Sequence, residues 1–222
     1  MLVRILAIFF AFLNISGCQS FRLTQNSSNS TTFHFPVRVI SFCSTSFDAE
    51  QHYDIDNKIR TQLETAEYYF GTVGFHVKFH IIDRTEVSMR FPGPDICRKV
   101  AALNPKIITI FTTSTQYLFS PKFLFLQGMS SFPWDEEAYG VFWFDPTLDD
   151  NTIMAHELSH YFGNVHYWNY LGVGAEEVDS QNPNIMNYCT VPQTELLPIQ
   201  GAIMQESIKE YGGVTRFPFI IP

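Results

Sequence analysis

The stretch that decides both fold and chemistry is Thr152–His166, TIMAHELSHYFGNVH. In a helix, His156 and His160 lie one turn apart, so their imidazoles face the same way. Imidazole is a good ligand for zinc, and two imidazoles at this spacing can hold one ion. Glu157 lies about 100° further round the helix than His156. It therefore flanks the metal, where it can accept a proton from a water molecule.

Gly163 predicts the end of this helix. A continuing helix would carry His166 round to another face, whereas glycine adopts positive φ at little cost and lets the chain turn back. His166 then reaches the same ion as a third ligand. Three histidines leave a fourth position for water, as in catalytic zinc sites. The alternative is an ordinary amphipathic helix that carries polar histidines.

The long pattern HExxHxxGxxH resembles the metzincin clan of zinc peptidases. These enzymes also have a methionine turn downstream. Here Asn184-Ile185-Met186-Asn187-Tyr188 fits that turn, with its methionine twenty residues past His166. Two features in the expected order make the plain-helix alternative the weaker one.

Further stretches are similar to the pappalysin type of metzincin: Gln127–Trp134, Tyr139–Phe142 and Leu197–Gln200. The resemblance covers roughly Phe35–Tyr211 and is strongest from Gln127 to Tyr188. It implies an α/β fold of the metzincin type, with an active-site helix and a small, mostly irregular lower subdomain that ends in a helix. The active-site cleft would lie between the two subdomains.

The resemblance also implies roles for residues. The family's zinc ligands carry over to His156, His160 and His166. The general base carries over to Glu157, and Met186 becomes a hydrophobic floor under the metal. Tyr188 matches a tyrosine that some metzincins swing between metal and substrate; the alternative is a buried structural tyrosine. The cofactor implied is one catalytic Zn²⁺.

Two departures limit what carries over. Family members often have glycine where this chain has Ser159, and they often have cysteines and a longer loop before the methionine turn. The family's calcium sites, disulfides and substrate preference are therefore not transferred, and Ca²⁺ has no support in these residues.

Composition sets the broad class. The 222 residues are enough for one domain, and the net charge of −8 without a basic run argues against a nucleic-acid partner. No stretch reaches the ~18 apolar residues that would span a membrane. We expect a monomer.

The N-terminus predicts export. Arg4 precedes the apolar run Ile5–Leu13, as in a secretory signal spanning residues 1–17. Ile15–Cys18 resembles a bacterial lipobox, which would place a lipid on Cys18 and make that lipid the only link to a membrane. The alternative is plain secretion with cleavage near Gly17–Ser20. Residues 18–33 are polar and predict a flexible tether.

Cysteine content fits export. Without Cys18, the remaining residues are Cys43, Cys97 and Cys189. An exported protein can form one disulfide from these and leave one thiol, and the sequence does not say which pair.

Strands and helices alternate, which predicts an α/β domain over residues 34–222 with a mainly parallel sheet. The family resemblance further implies an antiparallel edge strand, an upper subdomain over residues 34–163 and a lower subdomain over residues 164–222. The predicted strands are Phe35–Phe42, Gly74–Ile82, Lys106–Phe111 in a central position, Leu124–Pro133 at an edge, and Ala138–Phe144. Besides the helix that carries His156 and His160, helices are predicted from about Asp48 to Phe70 and from Asp95 to Leu103. A last helix is predicted to start within Thr194–Pro198, with Pro198 in its first turn, and to end at Gly212-Gly213.

Apolar spacing predicts which sides face inward. The inward sets are Ile55, Ile59 and Leu63; Phe75, Val77, Phe79 and Ile81; Ile96, Val100 and Leu103; and Ile199, Ile203 and Ile208. His76 and His80 share the other face of their strand. They are candidates for a second metal site, and the alternative is a pair of solvated or helix-contacting histidines.

The sequence therefore predicts a zinc-dependent endopeptidase. Its protein or peptide substrate would lie extended beside the edge strand around Gly128–Phe132. The rival class is a binding module, such as a cell-envelope adhesin on a metzincin scaffold that has lost activity.

Overall fold

A five-stranded, mostly parallel sheet forms the centre of the molecule. The computed structural model describes residues 31–43, 49–89, 91–113, 128–134, 140–144, 152–167, 182–187 and 194–212. Its strands are β1 (Phe33–Cys43), β2 (Val77–Ser88), β3 (Ile108–Thr113), β4 (Gly128–Ser130) and β5 (Val141–Phe144). Their order is β2-β1-β3-β5-β4, and only the β4–β5 pair is antiparallel. The predicted α/β class, the parallel sheet and the antiparallel edge strand are confirmed.

Four helices accompany the sheet in the described part of the chain: α1 (Ala49–Thr72), α2 (Pro94–Ala102), α3 (Ile153–Tyr161) and α4 (Pro198–Gly212). All four fall where the sequence predicts a helix. None of the described helices is both long and apolar enough to cross a bilayer.

One face of the sheet packs against α1 and α3. The predicted stripe Ile55, Ile59 and Leu63 on α1 is buried in the same cluster as Phe35 and Val37 of β1. All six residues of β3 are buried, as expected for a central strand. The helix α3, which carries His156 and His160, is held between the long helix α1 and the strands β5 and β4 at one edge of the sheet.

α1 also fixes the start of α3. Gln62 is 1% exposed, and its Oε1 accepts a hydrogen bond from the backbone N–H of Met154 at 3.0 Å. The first-turn N–H groups of a helix have no partner within it, so this side chain satisfies one of them. The bond ties α3 to α1.

The prediction for the second strand is only partly right. β2 starts at Val77 and continues to Ser88, whereas the predicted strand runs from Gly74 to Ile82. Phe75 and Val77 are buried as expected, but Ile81 is 39% exposed. The register with β1 shifts after Val37, which pairs with Ile81, while Arg38 pairs with Asp83. The extra residue is a bulge, and it breaks the regular alternation from which the prediction was made.

The prediction for α2 has the right bounds and the wrong face. Ile96 and Leu103 are 52% and 85% exposed, and Val100 is also exposed. Cys97 and Ala101 are buried instead, against Phe42 and other sheet residues. These two small residues have the same four-residue spacing, and they allow the helix to lie close to the sheet.

α4 likewise turns a different side inward. Ile208 is buried as predicted, but Ile199 is 45% exposed, and Gln200 and Met204 are fully buried. A β-carbon on Gly201 would lie 2.3 Å from the carbonyl oxygen of Val73. The lack of a side chain there lets α4 lie directly on the end of α1.

Candidate metal centre

The end of α3 has the geometry that the sequence predicts. Gly163 has φ 101°, and its N–H bonds to the carbonyl of His160 at 2.9 Å. The next N–H, from Asn164, bonds to the carbonyl of Ser159 at 2.9 Å. This pair of bonds is a Schellman motif, which stops the helix and reverses the chain. A side chain at Gly163 would also collide with Ser207 of α4, whose Oγ would be 2.4 Å from the new β-carbon.

The reversal brings three imidazoles together. His160 Nε2 lies 3.1 Å from His156 Nε2 and 3.2 Å from His166 Nε2. The candidate ligand atoms of all three lie within 4.8 Å of one another. His160 is buried and the other two are half-buried. The structure thus places the three predicted ligands at one point.

The outer nitrogens of two imidazoles are held by backbone carbonyls. His156 Nδ1 lies 2.6 Å from Ile185 O, and His160 Nδ1 lies 2.7 Å from Asn164 O. A carbonyl oxygen only accepts, so Nδ1 carries the proton in each ring. The lone pair of each Nε2 then points at the shared centre, as in histidine ligands whose outer nitrogen is fixed by a second partner.

Electrostatics keep the cluster in its ligating form. Burial, together with charge repulsion from His156 and His166, lowers the pKa of His160 to about 3. Burial, with repulsion from His156, lowers the pKa of His166 to about 4. Both rings are neutral at physiological pH, which is the state that binds a metal.

Glu157 is the buried acid of the site. It is 6% exposed, and burial raises its pKa to about 8. Its Oε2 has no hydrogen-bond partner among the described residues. Gly128 of β4 packs directly on this side chain, since a β-carbon there would lie 2.6 Å from Glu157 Oε1. A buried carboxyl group without a partner is costly unless it has a function or a nearby cation.

These observations fit a zinc ion. Zn–N bonds of ~2.05 Å in a tetrahedral site place two ligand nitrogens about 3.3 Å apart. The 3.1 and 3.2 Å separations in this site are close to that value. Three imidazole nitrogens whose lone pairs converge suit zinc, which binds three such ligands and a water in catalytic sites.

The turn after the site is formed by Asn184–Asn187. Met186 is fully buried, and its carbonyl accepts a hydrogen bond from the N–H of Tyr167 at 2.7 Å. Ile185 and Met186 belong to the same apolar cluster as α3. The roles predicted for Tyr188 and for the lipid on Cys18 concern positions outside the described residues, as do Cys189 and residues 168–181.

The second candidate site does not assemble. His80 Nε2 lies 2.8 Å from Nδ1 of His34, a histidine the sequence analysis did not connect with it. In the described ranges, no group of three His, Cys, Asp or Glu side chains comes together around His76 and His80. The structure thus favours the alternative reading of these histidines.

Cys97 is a free, buried thiol, and burial raises its pKa to about 12. It is therefore inert at neutral pH. The side chain of Cys43 lies outside the described part of the structure, so the predicted disulfide is not located.

Several residues that support the site were not predicted in these roles. Gln62 holds α3, Gly128 contacts Glu157, and Asn184 with Gln200 braces the turn. Gly128 and Gln200 do lie in stretches that carry the family resemblance. A buried glutamine such as Gln62 has no signal in the sequence, because its role depends on a contact 92 residues away.

Comparisons with known proteins show a fold but no family. No protein-family model matches the chain, and no curated protein matches it. A solved structure described as "Structure of a chaperone-substrate complex" matches with a TM-score of 0.54 and 8% identity. The match covers 83% of this chain and 35% of that one. At this identity the likeness supports the mixed α/β fold alone.

Proposed function

We propose that the protein is a zinc-dependent endopeptidase of the metzincin type, similar to the pappalysins. The observation that carries this proposal is the convergence of three imidazole Nε2 atoms, with separations of 3.1 and 3.2 Å, beside the buried carboxyl group of Glu157. A structural zinc site would be closed by a fourth protein ligand, and no such residue joins this cluster in the described ranges.

In this mechanism His156, His160 and His166 hold the metal and leave one position open. When bound, zinc supplies a Lewis acid that polarises the scissile carbonyl and lowers the pKa of water to ~7. Glu157 accepts the proton of the attacking water and passes it to the leaving amine. Tyr188 is the predicted hydrogen-bond donor to the developing oxyanion; losing one such donor typically costs ~3 kcal/mol of transition-state stabilisation.

The environment of Glu157 suits a base that works beside a cation. Without a cation, burial keeps it protonated at neutral pH, since its pKa is raised to about 8. Positive charge held by the three histidines favours the ionised form, which can accept a proton. The same burial keeps bulk water away from the carboxylate.

The substrate would bind at the β4 edge. β4 is the last strand of the sheet, and its first residue, Gly128, packs on Glu157. The ring of Phe132 contacts the ring of His160 with centroids 5.1 Å apart. An extended peptide added to this edge would pass the base and the metal, with main-chain hydrogen bonds providing affinity. The cleft would lie between residues 34–163 and 164–222.

The proposed setting is the cell envelope or the exterior, with a lipid on Cys18 or plain secretion. The support is the N-terminal sequence alone.

The test is cleavage of casein or a quenched-peptide library by the purified protein, with and without a chelator. We expect turnover that a chelator abolishes and added zinc restores. The matched variant Glu157→Gln should bind zinc and lack turnover. A wild type that binds zinc and does not cleave any peptide would favour the rival binding-module function instead.

A further inference from the structure

Two buried amides join the final helix to the turn after the metal site. Asn184 and Gln200 are 2% and 0% exposed. Asn184 Nδ2 donates to Gln200 Oε1 at 3.0 Å, and Gln200 Nε2 donates to Asn184 Oδ1 at 3.1 Å. The two side chains thus exchange a reciprocal pair of hydrogen bonds.

Each amide oxygen also accepts a second hydrogen bond, from the backbone. Asn184 Oδ1 accepts the N–H of Met186 at 2.9 Å, and Gln200 Oε1 accepts the N–H of Leu197 at 2.7 Å. These backbone donors fix which end of each amide is the oxygen. A carboxylate at either position could not donate, so one bond of the pair would be lost.

Ile185, the residue after Asn184, contacts the candidate metal ligand His156. Ile185 lies between Asn184 and Met186, and its carbonyl accepts the Nδ1 proton of His156 at 2.6 Å. The N–H of Ile185 bonds to the carbonyl of Glu195 at 2.8 Å. The direction of the Ile185 carbonyl is therefore set on both sides, by the amide pair and by the segment before α4.

The helix that carries Gln200 is itself anchored. Gly201 lies against Val73 at the end of α1, and Gln205 Nε2 donates to the carbonyl of Gly74 at 2.9 Å. α4 is thus fixed to the α1–β2 connection. A rigid element outside the site determines where the turn sits.

We propose that Gln200 is a positioning residue for the metal centre. It acts through Asn184 and the Ile185 carbonyl to fix the tautomer and direction of the His156 imidazole before any metal binds. The inference rests on the proposed zinc site. Outer partners of histidine ligands typically change metal affinity by ~10–100-fold, and we expect an effect of that size although Gln200 contacts no histidine itself.

The experiment measures the zinc dissociation constant of the purified protein by competition with a chromogenic chelator. Gln200→Glu keeps the shape and removes one donor; Gln200→Met keeps the length without adding charge. We expect either variant to weaken zinc binding ~10–100-fold. Glu206→Gln, an exchange of carboxylate and amide on the exposed side of the same helix, should leave zinc affinity within about threefold, since its partner is the exposed Lys209 of that helix.

A stability control separates positioning from general loosening. Ile208→Val removes a buried methylene from the same helix and lowers the melting temperature without touching the amide pair. It should leave zinc affinity unchanged. If Ile208→Val weakens zinc binding as much as a Gln200 variant of equal melting temperature, the positioning role is wrong.

One measurement needs no variant. In metal-free wild type, nitrogen-15 NMR should show a proton on His156 Nδ1 that exchanges slowly with solvent, because the carbonyl is already in place. Fast exchange would overturn the inference even if every Gln200 variant failed to fold. Wild type that binds no zinc would remove both the site and this role, whereas a tight site that ignores Gln200 would remove this role alone.

Discussion

The molecule contains two clusters of histidines, and they differ in everything except residue type. His34 and His80 stack across β1 and β2 with centroids 5.1 Å apart and planes 10° apart, at the exposed edge of the sheet. His160 instead meets His156 and His166 edge-on, at 86° and 89°, in a mostly buried site.

The two clusters differ in the partners to which their imidazole N–H groups donate hydrogen bonds. In the exposed pair, one ring nitrogen donates to the other at 2.8 Å, so the two satisfy each other. In the buried cluster, carbonyls of Ile185 and Asn164 take the outer protons, so lone pairs face lone pairs. Only the second arrangement presents converging lone pairs to a cation. Outer partners and burial, more than histidine spacing, therefore distinguish the cluster that could hold a metal.

The largest effect is expected from a substitution that breaks the buried histidine cluster. His160→Ala removes the central ligand, so the purified protein should retain no stoichiometric zinc after dialysis and show no peptidase activity. The matched change His80→Ala should retain one zinc per chain. Zinc content by atomic emission checks both, and the contrast between the clusters collapses if His80→Ala loses the metal or His160→Ala keeps it.

The second-largest effect is expected at Glu157, and it distinguishes a general base from a metal ligand. Glu157→Gln keeps size and burial but cannot take a proton, so turnover should fall by roughly 10²–10⁴-fold while zinc stays bound. Steady-state cleavage of a quenched peptide at matched zinc content measures it. Activity within a few-fold of wild type would show that another group is the base.

A smaller loss is expected at Gly128. A β-carbon added at this position would lie 2.6 Å from Glu157 Oε1, so Gly128→Ala must displace the carboxylate. We expect a roughly 10–100-fold loss of activity with zinc retained, the size typical of a misplaced catalytic group. Gly71→Ala is the control, since its nearest neighbour is 3.9 Å away. Equal losses in both variants would contradict a direct effect on Glu157.

The stability of the metal-free protein should depend on pH through the buried site. Folding lowers the pKa of His160 to about 3 and of His166 to about 4, so stability falls as pH drops below the unfolded value of 6.5. Folding raises the pKa of Glu157 from 4.5 to about 8, so its contribution is complete below pH 4.5 and is lost as pH rises towards 8.

The two trends together predict a maximum near pH 6.5 from these groups. Above it, the loss of the Glu157 proton alone lowers stability by at most about 1.4 kcal/mol per pH unit, and the two histidines offset part of this because their unfolded forms still bind protons. Metal-free Glu157→Gln should lose this decline, and urea unfolding at pH 6.5 and 7.5 measures the difference. Parallel curves for wild type and variant would show that Glu157 is ionised in the metal-free site.

The smallest effect is at the exposed pair. His34→Ala removes one hydrogen bond at the sheet edge and should change the free energy of unfolding by no more than about 0.5 kcal/mol, as for most surface positions. Zinc content and activity should be unchanged. A larger loss, or a second zinc bound by wild type and lost in this variant, would make the exposed pair a metal site after all.

Local patterns predicted most of the secondary structure, because helix spacing, glycine and alternation act over a few residues. Gly163 and the two histidines before it gave the helix, its end and the site. The predicted buried face of α2 was wrong because Cys97 and Ala101 have the same four-residue spacing as the larger Ile96 and Val100. Ile81 was wrong because a bulge depends on the partner strand, which the sequence of β2 does not contain.

The supporting contacts of the site were mostly beyond the sequence. Gln62 and Gln200 are polar residues in helices, where they would usually face solvent. Their burial follows from partners on distant segments, Met154 and Asn184. Such pairs are fixed by tertiary packing, so no local pattern in the sequence identifies them.

Zinc-edge X-ray absorption on the purified protein tests the central claim most directly. We predict one zinc per chain, bound by three imidazole nitrogens and one oxygen ligand at about 2.0 Å, with the same spectrum for His80→Ala. Protein without stoichiometric zinc, a sulfur ligand, or only two imidazoles in the spectrum would contradict it.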